Sequence, residues 1–115
     1  MPVKKTASLK VAASLHIASG LVSLHPNDGF DLGLMTKSHE VEWCTGILPQ
    51  DFLDGKRGQV LSVKMQLLND CPHQTLRMNM HQWKNMGSPE QVVMLLDGCR
   101  MFMIPVKSLK KDDDL

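Results

Sequence analysis

The side chains able to do chemistry are few, and their spacing decides what they can do. The chain has three cysteines and five histidines. Cys71-Pro72-His73, with His81 eight residues on, could contribute ligands to a metal. No second pair completes the set that a structural zinc site requires, so no metal is expected. Cys44, Cys71 and Cys99 are odd in number and lack C-x-x-C spacing, which points to reduced thiols rather than a disulfide framework. His39-Glu40 and the Asp51/Asp54 pair are isolated polar residues on expected loops. There is no glycine-rich phosphate loop and no Ser/His/Asp or Cys/His pair at a telling spacing. Binding or assembly is therefore expected, not catalysis, and no cofactor is implied.

Composition narrows the class further. The 115 residues are 43% hydrophobic and 22% charged, which is globular composition for a single domain of residues 1–115. Thirteen basic residues against 12 acidic ones leave a net charge of +1, so global charge does not announce a polyanionic partner. No apolar run reaches the roughly 18 residues of a membrane span. Lys4 and Lys5 precede an apolar stretch, but Lys10, Ser14, His16 and Ser19 interrupt it, so a secretory leader is not expected and the chain reads as intracellular. Nine methionines suit irregular packing and adaptable interfaces.

Residues 8–24 carry two periods at once. Leu9, Val11, Ala13, Leu15 and Ile17 alternate, while Leu9, Ala13, Ile17 and Leu21 form an i,i+4 row. Alanine content and Ser8 as an N-cap favour a helix in the first half. His25-Pro26-Asn27-Asp28-Gly29 is a dense turn signal, after which Phe30, Leu32 and Leu34, then Val41 and Trp43, alternate as strands. Residues 46–58 read as a connection. Leu61, Val63, Met65 and Leu67 form one face of a clear strand, and Leu76, Met78 and Met80 one face of the next. Residues 84–89 read as a polar turn.

Asp97-Gly98 between two apolar runs predicts a hairpin with a type I′ turn, placing Leu96 opposite Cys99 and Met94 opposite Met101. Ser88-Pro89-Glu90-Gln91 offers a competing helix start, but adjacent valines favour the strand. Both faces of the hairpin are apolar, so it either lies between two layers or meets another protein. Five or six short strands after an N-terminal helix point to a small antiparallel barrel.

The segment from Glu90 to Pro105 resembles the second motif of the Sm/LSm family, and within it the D-type subunits of spliceosomal ribonucleoprotein cores. The Ser8-Leu9-Lys10-Val11 start and the Ser108-Leu109-Lys110 tail are also similar to D-type subunits. Two registers for the first motif stay open. One uses Val22-Ser23-Leu24, Asn27-Asp28-Gly29 and Gly33, with Arg77-Met78-Asn79 as the later segment. The other uses Leu32-Gly33-Leu34 and residues 41–48, with Gly46 as the family glycine.

The resemblance implies a strongly bent five-stranded barrel after an N-terminal helix, flanked by an extension over 1–7 and a charged tail over 107–115. It implies a hetero-oligomeric ring of Sm-type subunits on uridine-rich small nuclear RNA, acting in splicing in the nucleus. Val92, Met94, Met101, Phe102, Met103 and Ile104 would then form the subunit interface. RNA would meet Asn79, His81, Asp97, Gly98 and Arg100, or Asp54 and Lys56 in the second register. Asp97 stands where the family carries an arginine, and aspartate neither stacks on a base nor attracts phosphate. The second reading is a free-standing barrel that acts as an adaptor or ligand-binding module without RNA.

Overall fold

The computed structural model describes residues 3–106, so the tail over 107–115 lies outside the described residues. The elements run β1 (Lys4–Lys5), β2 (Leu9–Ser14), β3 (Leu21–Leu24), α1 (Pro26–Asp31), β4 (Ser38–Thr45) and α2 (Pro49–Leu53). They continue with β5 (Gln59–Leu67), β6 (Thr75–Asn79), α3 (Met80–Asn85), β7 (Gln91–Asp97) and β8 (Arg100–Val106). The strands neighbour one another in the order β7-β2-β6-β3-β5-β4-β8, and β8 returns to pair with β7. The sheet is thus a closed, seven-stranded barrel, with β1 lying beside the far end of β7.

A β-barrel is what the sequence predicts, but its construction differs. The barrel has seven strands, not five, and is not purely antiparallel, because β2–β6, β3–β5 and β4–β8 pair in parallel. The expected N-terminal helix is a strand. β2 lies between β6 and β7, which supply its backbone partners, and Leu9 points into the core with no exposure. Tertiary pairing overrides the helix propensity of its alanines. Phe30, expected on a strand, belongs to α1. Pro26 opens that turn, and His25 Nδ1 accepts a hydrogen bond from the Asn27 N–H. Residues 80–85, expected as a strand end and a turn, form α3, and the 46–58 connection contains α2.

The last hairpin forms, with its register shifted. Asp97 pairs with Arg100, Leu96 with Met101 and Met94 with Met103, so the loop is Gly98-Cys99. A type I′ turn needs two positive φ values, and here only Gly98 has one, at 64°. Glycine at the first loop position is the requirement of a type II′ turn. The shift of two residues preserves which side chains share a face.

The barrel carries an internal two-fold correspondence. Exchanging residues 54 apart in number, first half for second, carries the parallel pair Ala13–Met78 onto Leu67–Leu24, and Lys10–Thr75 onto Lys64–Leu21. Ser23 and its equivalent Arg77 are themselves paired, so the axis passes between β3 and β6. Local geometry follows the same rule. Gly20 and Gln74 both have positive φ (80° and 56°), as do Gly33 and Gly87, and His25 and Asn79 are both N-caps. The Gln74 N–H donates to Asp28 Oδ2 at 2.7 Å, and the Gly20 N–H to Gln82 Oε1 at 3.0 Å. Each half therefore uses a helical-turn side chain to hold the other half's connection.

This symmetry explains β8. In the two-fold frame β4 and β7 occupy equivalent places and run in opposite directions. A strand inserted between them must be parallel to one. The short turn after β7 makes β8 antiparallel to β7, and hence parallel to β4.

Two apolar layers flank the hairpin. Trp43, Met94, Met101 and Met103 belong to the cluster filling the lumen with Leu24, Met65 and Met78. Cys44, Leu95 and Phe102 face outwards and are covered by Phe52 of α2, with Val3 and Ile47 packed alongside. The first explanation for the two apolar faces therefore holds: the hairpin lies between layers of its own chain.

Candidate functional site

The residues expected to meet RNA are scattered. Asn79 is buried, and its Oδ1 accepts from the His81 and Gln82 N–H groups while its Nδ2 donates to the Ile17 carbonyl. It is an N-cap with no free polar atom for a ligand. His81 is exposed on α3 and Gly98 on the hairpin turn. Arg100 and Asp97 are together but face each other, Nη2 to Oδ2 at 2.5 Å. The Arg100 guanidinium also donates to the Phe52 and Lys56 carbonyls and lies 4.5 Å above the Phe52 ring. It ties α2 to the hairpin. In the alternative register, Lys56 pairs with Asp51 at 3.7 Å, and Asp54 accepts from Gln50 Nε2.

The residues expected at a subunit interface lie inside the chain. Val92, Met94 and Met101 have no exposure, Phe102 and Met103 are buried, and Ile104 is half-buried beside the outer cluster. Closure explains the difference: β7 is paired on both sides, by β8 and by β1 and β2.

Where closure is incomplete, a different site emerges. β4 and β8 pair only at Glu42–Arg100 and Trp43–Met101. Among the described residues, neither strand has a partner on that side beyond those positions. Two sequence features account for the split. Gly46, with φ of 75°, turns the chain after β4, and Pro105 has no N–H to donate. The opening is a groove of about 690 Å³. Its walls are Trp43 to Ile47 on one side and Phe102, Met103 and Pro105 on the other. Gln59 and Leu61 of β5 and Gln82, Asn85 and Met86 around α3 complete it.

Two properties set this groove apart. Its lining takes in lumen-facing Trp43 and Met103 together with outward-facing Cys44 and Phe102. It is therefore a gap through the plane of the sheet, not a hollow on one face. No Asp, Glu, Lys, Arg or His lines it; the polar groups of the lining residues are amides, a threonine hydroxyl, the Trp43 indole N–H, the Cys44 thiol and backbone. Burial pushes the Cys44 thiol above its ordinary range, with nearby Arg100 opposing, so it stays protonated and unreactive at neutral pH. The Cys71 thiol is raised by burial as well. Among the described residues no group of three or more His, Cys, Asp or Glu could hold a metal.

Of the groove residues, Phe102 and Met103 are among the sequence-based candidates, there as interface positions; the others escape because the lining comes from four elements with no motif in common. Gly46 and Pro105 are further positions that sequence could have marked, as strand terminators. No family model, curated protein or solved structure matches the chain.

Proposed function

We propose that the chain is a free-standing barrel module that binds an uncharged, largely apolar ligand in the gap between β4 and β8. The observation that carries this reading is the groove through the sheet plane, walled by Trp43, Leu61, Phe102 and Met103 and free of charged side chains. Apolar clefts with a few amides at the rim are the usual form of ligand sites. The competing proposal is an Sm-type ring subunit on uridine-rich RNA in the nucleus, and it rests on the hairpin sequence at 90–105. Its interface residues are engaged in the chain's own core, and its one cation in the hairpin, Arg100, is engaged by Asp97 and by carbonyls.

Solution mass and an uncharged apolar dye such as N-phenyl-1-naphthylamine test the choice. A 12.9 kDa monomer that binds the dye saturably, and loses it in Leu61→Glu, supports the binding module. Leu61 is 46% exposed, so that charge can be added without burying it. Aggregation alone, with rescue by co-expressed ring subunits, supports the ring.

A further inference from the structure

Building on the groove as the ligand site, we infer that its occupant is an extended, uncharged peptide segment of a partner protein, inserted as a strand antiparallel to both β4 and β8. The backbone makes the demand. In a two-residue hairpin the closing pair, Asp97–Arg100, is hydrogen-bonded, and bonded pairs then alternate. Phe102 and Ile104 direct their backbone groups to β7, whereas Met101, Met103 and Pro105 direct theirs towards β4. The Thr6–Met94 bonds on the far side of β7 agree with this phase, since Met94 lies opposite Met103.

On β4 the same side belongs to even-numbered residues, as the Glu42 N–H to Cys99 carbonyl bond of 2.7 Å shows. Past Trp43 and Met101, the Met103 N–H and carbonyl, the Pro105 carbonyl and the Cys44 carbonyl therefore face the gap. Unmet backbone groups on two facing strands are a template for a third strand.

Direction, length and chemistry follow. β4 and β8 are parallel, so one inserted strand meets both in the same sense, and the antiparallel sense gives the better-aligned hydrogen bonds. At strand spacings of roughly 3.4 Å along and 4.8 Å across, the 690 Å³ gap holds about four residues. Successive side chains would meet Trp43 and Met103 on the lumen side and Phe102 on the outer side, so both faces select apolar residues. The chain's own residues 107–115 carry three lysines and three aspartates, a poor match to an uncharged gap. A partner's segment fits better.

The test uses the full chain and three pools of capped heptapeptides. One pool is apolar and small, a second has Lys and Asp at alternate positions, and a third is the apolar pool N-methylated at alternate residues. The apolar pool should displace N-phenyl-1-naphthylamine and shift the Met103 amide resonance. The charged and N-methylated pools should bind at least tenfold more weakly. Dye binding that disappears in Leu61→Glu, without displacement by the apolar pool, overturns strand insertion and leaves the groove reading standing. Equal binding of the N-methylated pool also overturns it. Absence of dye binding both to the native chain and to the chain lacking residues 107–115 overturns the groove reading itself. Peptide binding that appears only after removal of residues 107–115 makes the tail the occupant and overturns the assignment to a partner.

Discussion

Arg100 shows how one side chain changes meaning once its neighbours are known. In the sequence it is the one cation of the hairpin and a natural partner for phosphate. In the fold its side chain is 11% exposed, clamped by Asp97, and stacked on Phe52. Arg100→Met leaves Asp97 and two carbonyls without their donor. Unfolding in urea should show a loss of about 2–4 kcal/mol, the scale of breaking a largely buried charge-assisted cluster. Asp97→Arg sets two guanidinium groups against each other and should likewise lower stability; an unchanged midpoint would contradict the clamp.

The thiols make a second test. Cys99 is exposed, whereas Cys44 and Cys71 are buried and raised by that burial. A disulfide reagent at neutral pH should label Cys99 quickly and the other two only on unfolding. The raised folded-state values mean the fold favours the protonated thiols. That stability is fully present below the ordinary thiol range and is lost as pH rises through the folded-state values. Replacing both buried cysteines with alanine should flatten this alkaline loss even though it leaves small cavities.

Between elements, the helical-turn side chains carry the symmetry. Asp28 is 6% exposed and accepts from the Gln74 N–H; Gln82 does the same for Gly20. Asp28→Ala should cost about 1–3 kcal/mol, and Gln82→Ala less, because the first bond has a charged acceptor and is buried. Gln74 holds φ of 56° where its equivalent is glycine. Its backbone, not its side chain, makes the cross-half bond. Gln74→Gly should therefore stabilise the barrel by up to about 1 kcal/mol, read by thermal melting, as a left-handed position is relieved. Gly20→Gln, its mirror image, should destabilise.

The barrel as a whole is interleaved. β2 takes its partners from β6 and β7, and β3 from β5 and β6, so neither half owns a complete sheet. A protease site inserted at Gly55, whose surroundings are open space, tests this. The cut chain should elute as one 1:1 complex and unfold at lower urea than the intact protein, since only the connection is lost. Separation of the halves under native conditions would show that the pairing between them is too weak to define the fold.

The sequence alone determines the β-rich barrel class, the hairpin at Gly98 and the confinement of charge in the final strands to Asp97 and Arg100 beside the turn. These are local or additive properties: alternation, turn chemistry and composition act over a few residues. It also misleads locally. The alanines of β2 favour a helix until β6 and β7 supply partners, and the Phe30–Leu34 alternation conceals a capped helical turn. Only tertiary structure decides the strand order, because each parallel pair joins residues far apart in the chain. The two-fold correspondence is invisible in the residues themselves, where across 9–34 and 63–88 only Lys10/Lys64 and Gly33/Gly87 are identical. The candidate site is invisible for the same reason. It arises where β8, bound fully to β7, cannot also match β4, and a gap of that kind belongs to the closure of the sheet and not to any stretch of chain.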